Sequence, residues 1–166
     1  MNKIKVGIST CLLGKPVRYD GSHKLDRYLV NILGEYVEWV PVCPEVECGL
    51  PTPRESMRLV GSPDDFRLVT NKTGIDHTDR MLEWADSKLK ELESHDLCGF
   101  IFKKRSPSSA LGDAKVYTEK GFPARKGPGL FAGESLQRFP AIPVEDEGRL
   151  HDDGIRCQYY VLSCFP

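Results

Sequence analysis

Apolar and polar or small residues alternate along Ile4-Lys5-Val6-Gly7-Ile8-Ser9-Thr10, the two-residue period of a half-buried strand. A loop punctuated by Gly14, Pro16 and Gly21 follows, with Cys11 at its start. Leu25, Leu29 and Leu33 then fall at helical spacing, which predicts a helix over 23–33 with Gly34 as its stop. Val37-Glu38-Trp39-Val40-Pro41-Val42 reads as a second strand, and Cys43 stands at its end. Pro51, Pro53 and Pro63 predict that residues 44–67 are mostly loop, with a short helical turn about 55–59 and a small edge strand at Leu68-Val69-Thr70. The clearest helix is expected over 76–94, with Leu82, Ala85, Leu89 and Leu92 on one face and Glu and Lys on the other. Cys98-Gly99-Phe100-Ile101-Phe102 is an apolar strand. A helix is expected over 130–139, and Ala141-Ile142-Pro143-Val144 reads as the last strand.

This alternation of strand and helix patterns argues for a three-layer α/β/α sandwich with a mainly parallel, Rossmann-like sheet. Ligands in such sheets bind beyond the carboxyl ends of the strands. Cys11, Cys43 and the loop Ser106-Pro107-Ser108-Ser109 each follow a strand, so they are expected to meet at one edge. The 166 residues suit one domain, placed over 1–155, with 156–166 as a tail of no assigned role.

Composition narrows the class. Hydrophobic residues at 40% and charged residues at 28% are the balance of a soluble globular protein. A net charge of −1 excludes a surface that is basic throughout, so any RNA contact needs a local patch. Lys103, Lys104, Arg105, Arg125 and Lys126 would form one if their loops converge. No 18-residue apolar span is present, which predicts no membrane partner, and cytoplasmic residence is the expectation.

The six cysteines are read against that compartment. Disulfide scaffolds are usually smaller, secreted and loop-rich, so clustered thiols here suggest metal binding or catalysis. Cys43-Pro44-Glu45-Val46-Glu47-Cys48 puts two thiols five residues apart, and Cys11 is the natural third. Thiolates suit zinc and iron–sulfur clusters. Three ligands would leave one iron open as a Lewis acid. A structural zinc site, or three unrelated buried thiols, is the plainer alternative. Glu45 is a candidate proton donor or acceptor, or else a solvated surface charge. In Arg18-Tyr19-Asp20-Gly21, a tight turn, Arg18 and Asp20 either bond each other or grip a polar ligand. Lys103 to Ser109 offers charge, hydroxyls and backbone N–H groups suited to a phosphate or polar nucleobase. Arg125-Lys126-Gly127-Pro128-Gly129, at an expected helix start, is a second anion candidate. A dinucleotide fingerprint fails because Gly133 comes one place late. His23, His77, His95 and His151 are scattered, with no pair at metal-ligand spacing.

In order, Ser9-Thr10-Cys11-Leu12-Leu13-Gly14, Arg18-Tyr19-Asp20-Gly21, Cys43-Pro44-Glu45, Gly49-Leu50-Pro51-Thr52-Pro53-Arg54 and Ser106-Pro107-Ser108 resemble the motifs of the thiouracil desulfidase (TudS-like) family, formerly a domain of unknown function. The resemblance implies an oxygen-sensitive [4Fe-4S] cluster on three cysteines, to whose open iron the sulfur of a thiolated pyrimidine base or nucleoside binds. Water supplies the replacing oxygen and hydrogen sulfide leaves. It implies Glu45 and Ser106 as catalytic helpers, and Arg18, Asp20, Lys103, Ser108 and Ser109, in the two polar loops read above, are the candidate substrate contacts. Many relatives carry a cysteine ligand where this chain has Ser109, and glycine where it has Cys48. Ligand relocation to Cys48 is the economical reading, with Cys98 the other candidate. The pattern is similar to the longer branch of the family, in which a second, helical domain is fused and the substrate is 4-thiouridine in transfer RNA. Transfer RNA is therefore a candidate partner. Two other classes compete: a zinc-stabilised nucleotide- or RNA-binding module without chemistry, and a metal-free transferase or hydrolase with Cys43 as nucleophile.

Overall fold

The structure, a computed structural model, describes residues 3–62 and 65–164. Pro63 and the side chain of Cys164 lie outside that description. The main sheet holds β1 (Ile4–Ser9), β2 (Val37–Val42), β5 (Leu97–Phe102) and β8 (Val144–Asp146), in the order β2-β1-β5-β8 and parallel throughout. Alternation sorts its side chains. Val6, Ile8 and Ile101 pack beneath α1 (Arg27–Asn31) and α5 (Asp153–Cys164), with Leu29 and Tyr159. Val42, Phe100 and Phe102 pack on the other face against α3 (Thr78–Glu93) and α4 (Leu130–Arg138), through Ala85, Leu89, Leu92 and Phe131. These are the three expected layers. Phe100 and Phe102 stack at 4.2 Å between ring centres, and Gly7 leaves room for the Phe100 ring, which a Cβ there would meet at 2.2 Å. Burying each such ring contributes about 1.5–3 kcal/mol.

A second sheet was not expected. It contains β3 (Met57–Ser62), β4 (Asp65–Thr70), β6 (Ala114–Tyr117) and β7 (Pro123–Gly127), ordered β4-β3-β6-β7 and mostly antiparallel. Its inner residues Leu59, Leu68 and Val116 close a third core with Met81 of α3 and Leu130 of α4. The helical turn expected about 55–59 is therefore strand, because Leu59 gains burial only by alternating into this sheet. Leu68-Val69-Thr70 does lie in an edge strand, β4. Arg125-Lys126-Gly127 is strand rather than a helix start, and Gly129 caps α4 instead.

Three boundaries also move. The first helix begins only at Arg27, because Asp26 Oδ1 accepts the Leu29 N–H at 3.1 Å and caps it there. Residues Pro44–Glu47 form a one-turn helix, α2, with Pro44 at its first position. The last strand starts at Val144, just past Pro143, whose carbonyl accepts the Phe100 N–H. Residues of the expected tail continue α5, and Tyr159 is buried in the first core. Among the described residues no helix is long and apolar enough to cross a membrane.

Candidate active site

All four parallel strands release their chains toward one edge. β1 runs into a 3-10 turn carrying Cys11, β2 into Cys43, β5 into Lys103 and the serine loop, and β8 into Glu147. A cleft of about 650 Å³ opens there, lined by Cys11, Cys43, Glu45, Lys103, Ser106 and Glu147, among others. That volume suits a small molecule rather than a bare ion.

Cys43 is the N-cap residue of α2, and its N–H is accepted by Glu47 Oε2 at 2.7 Å. Glu47 Oε1 in turn pairs with Lys88 of α3 at 3.0 Å, so α2 is pinned to the long helix. Cys11 is fixed through its carbonyl, which accepts from Gly14 N and Lys24 N. Gly14 takes φ +83°, the left-handed conformation that ends the turn. Burial pushes the Cys11 thiol up to about 11, against the lowering effect of the nearby Lys103 charge. Burial, reinforced by the Glu45 charge, pushes Cys43 up to about 12. Both are neutral thiols at neutral pH and thus weak nucleophiles, which disfavours the metal-free reaction at Cys43.

Four carboxylates line the cleft: Asp26, Glu45, Glu55 and Glu147. Asp26 accepts from His151 Nε2 at 3.0 Å and from Leu29 N. Glu55 accepts from Lys72 N, Thr73 N and Thr73 Oγ1. Glu147 pairs with the Lys103 ammonium and accepts the Lys104 N–H at 2.9 Å. Glu45 differs. Its Oε1 accepts from Ser108 Oγ at 2.6 Å, and its Oε2 lies 3.7 Å from the Cys43 thiol. Among the described residues a hydroxyl and a thiol hold it, with no cation or backbone amide.

The other expected site residues divide. Arg18, Lys103, Ser106 and Ser109 line the cleft. Ser108 is wholly buried beneath the wall. Asp20 stands outside, bonded to Ser22 N and Oγ, and these bonds hold its carboxyl below the usual range. Cys48 ends α2, donates to the Glu45 carbonyl at 3.3 Å and packs against the third core. Cys98 lies at the opposite, amino-terminal end of β5. Of the five basic side chains, Lys103, Lys104 and Arg105 line the cleft together. Lys103 pairs with Glu147 while lining the cleft. Arg105 also borders a second cleft, with Lys126, Arg58 and Lys115, alongside Asp113 and Tyr117. Arg125 lies over the Phe66 ring, 5.8 Å from its centre.

Arg54 and Glu147 are cleft residues to which the sequence assigns no role. Arg54 donates to the carbonyls of Val17 and Pro51, clamping two loops into one rim. Glu147 had one usable signal, its place just past the last parallel strand.

A model of the 2-thiouracil desulfurase family matches residues 6–147, spanning both thiol motifs, the serine loop and Glu147. The chain belongs to this family. It is 28% identical over 150 residues to YbbK, an uncharacterized protein of Bacillus subtilis (strain 168), covering 87% of this chain and 97% of that one. It is also similar to the solved structure of the [4Fe-4S]-dependent thiouracil desulfidase TudS. There the identity is 29%, the TM-score 0.70, and the match covers 94% of this chain and 99% of the other.

Cys11 and Cys43 are donors of the kind taken by the group named for this solved relative. Among the described residues no three His, Cys, Asp or Glu side chains stand close enough for a single ion. A four-iron cluster is wider, and thiolates are the donors it takes. Cys11 and Cys43 offer two thiols in the cleft, whereas Cys48, at the far end of the same short helix, is not among the lining residues and packs against the third core.

Proposed function

We propose that this chain is an iron–sulfur-dependent desulfidase that exchanges the sulfur of a thiolated pyrimidine for oxygen, with a [4Fe-4S] cluster on Cys11, Cys43 and Cys48. The thiocarbonyl and water become a carbonyl and hydrogen sulfide, with no net oxidation or reduction. The cluster, when bound, supplies an open iron that polarises the thiocarbonyl as a Lewis acid. The protein's own groups do the rest. Glu45 takes a proton from the attacking water and returns one to the departing sulfur. Ser106, facing the cleft from the serine loop, hydrogen-bonds the reacting centre. Arg18 and Lys103 orient the polar edges of the ring, and Ser109 borders it. Family membership supports this reading, and the placement of Glu45 carries it: its carboxylate lines the cleft, held between the Cys43 thiol and the Ser108 hydroxyl.

The substrate is a thiolated base or nucleoside, free or within transfer RNA. Support for the larger substrate comes from Arg58, Arg105, Lys115 and Lys126 beside the main cleft. Transfer-RNA binding is expected to be weak and to fall steeply with salt. The free thiols of Cys11, Cys43, Cys48, Cys98 and Cys157 suit the reducing cytoplasm. A zinc-stabilised module would need donors converging on one ion, and among the described residues no three His, Cys, Asp or Glu side chains are so grouped. The test is anaerobic reconstitution followed by incubation with thiouracil and with RNA bearing 4-thiouridine, reading sulfide. Sulfide release from either substrate supports the proposal. One zinc per chain, no acid-labile sulfide and no release would refute it.

A further inference from the structure

A hydroxyl that the cleft does not expose joins the two residues given chemical roles. Ser108 has no solvent-exposed surface, and its Oγ meets three partners. It donates to Glu45 Oε1 at 2.6 Å, and lies 3.1 Å from Ser106 Oγ and 3.3 Å from Ser109 Oγ. A serine hydroxyl carries one hydrogen, and an ionised carboxylate can only accept. The Ser108 hydrogen is therefore committed to Glu45, which leaves Ser106 and Ser109 as donors to Ser108. The same polarity suits Ser106, whose oxygen accepts the backbone N–H groups of Ser108 and Ser109 at 3.3 and 3.2 Å.

The backbone around Ser108 is held from behind. Its carbonyl accepts the Ala132 N–H at 3.1 Å, and the Pro107 carbonyl accepts the Leu130 N–H at 3.1 Å, so the first turn of α4 grips the loop. Gly129 permits the contact, because a Cβ there would stand 2.3 Å from the Ser108 carbonyl carbon. Glu45 sits on a helix of one turn, attached elsewhere through Glu47. Of the two ends of the Ser108–Glu45 bond, the serine is the better anchored.

We propose that Ser108 is a positioning residue, whose buried hydroxyl fixes the Glu45 carboxylate over the cleft and locks it to Ser106. It touches no substrate and acts through Glu45. This rests on the role given to Glu45 above. A carboxylate freed from this bond samples other rotamers, and misplacement of about 1 Å costs up to about 100-fold in rate.

The test uses Ser108→Ala and Ser108→Thr in the full chain. In cluster-loaded enzyme, Ser108→Ala is expected to lower kcat about 10- to 100-fold with little change in KM, and Ser108→Thr to recover most of it. Ser108→Ala should add little to Glu45→Ala, since its target is already gone. A second readout needs no cluster. The infrared carboxylate band assigned to Glu45, by difference from Glu45→Gln in metal-free protein, should shift in Ser108→Ala and return in Ser108→Thr. An unmoved band, or equal rate losses with and without Glu45, would overturn the inference. If the wild type desulfurates nothing, the functional proposal fails while the infrared result still decides this one.

Discussion

Lys103 and Glu147 form an ion pair at the cleft, joining the end of β5 to the end of β8. The side chains are only 19% and 11% exposed. The Lys103 N–H is also accepted by Ser9 Oγ at 2.9 Å, which draws in the end of β1. Three neighbouring strand ends thus share one polar knot.

Breaking that knot from one side should be costly, because the partner stays buried and charged. Glu147→Ala is expected to destabilise the protein by about 3–5 kcal/mol, read by urea unfolding. Glu147→Ala together with Lys103→Met should be less destabilised than Glu147→Ala alone, since no uncompensated charge is left. A loss of about 0.5 kcal/mol or less in Glu147→Ala, the level of an ordinary surface substitution, would show that the pair is solvated.

The buried thiols predict a pH dependence of the metal-free protein. Cys11 and Cys43 are raised from 9.0 to about 11 and about 12. Above pH 9 the unfolded chain gives up these protons while the folded one keeps them. The folded state then binds more protons, so stability falls as pH rises, by about 1.4 kcal/mol per pH unit for each thiol. The contribution is intact below pH 9 and is lost progressively between pH 9 and 12. Urea unfolding at pH 8, 9 and 10 should show the decline, and Cys11→Ser with Cys43→Ser should flatten it. A wild-type slope unchanged by that double substitution would refute the burial of these thiols.

The main sheet and its edge were legible because parallel strands and their crossovers leave strong periodic patterns. β1, β2, β5, α3 and α4 fall close to where spacing put them, and so the convergence of Cys11, Cys43 and Ser106 could be read from strand ends alone. The second sheet was not legible. β3 sits in a proline-rich stretch, and Leu59 finds its partners Met81 and Val116 only through tertiary contact. The same limit applies to the site. Ser108 and Ser109 are adjacent in sequence, yet one is under the wall and the other on it, a difference of side-chain direction that composition cannot carry. Glu147 went unassigned because Glu145, Asp146 and Glu147 look alike until the last strand's register is known.

The third thiol can be tested by comparing Cys48→Ser with Cys98→Ser. Cys48 lies one short helix from Cys43, whereas Cys98 lies at the amino end of β5, across the sheet from the cleft. After anaerobic reconstitution, Cys48→Ser is expected to lose most of its iron and sulfide, along with the broad visible absorption. Cys98→Ser should match the wild type. The reverse result would move the ligand and require β5 to be rearranged. Equal retention in both would leave Cys11 and Cys43 to be completed by some other side chain.

The final prediction concerns Glu45. Water is a poor nucleophile at neutral pH, and a positioned base contributes about 10²–10⁴-fold. The other three carboxylates of the cleft are engaged by a cation, an imidazole or backbone amides, whereas Glu45 is held by Ser108 and Cys43. Pro44 beside it restricts the backbone, and the helical turn fixes where the side chain begins. Glu45→Gln keeps the shape and an oxygen able to accept from Ser108, but removes the basic group. The variant is expected to hold its cluster, bind substrate with similar KM and turn over at least about 100-fold more slowly. Iron analysis, sulfide release and urea unfolding on one preparation separate the outcomes. Loss of iron would make Glu45 a ligand or a structural support of α2. Full activity would move the base elsewhere, and Glu147, the remaining cleft carboxylate beside Cys11 and Lys103, would be the first to examine.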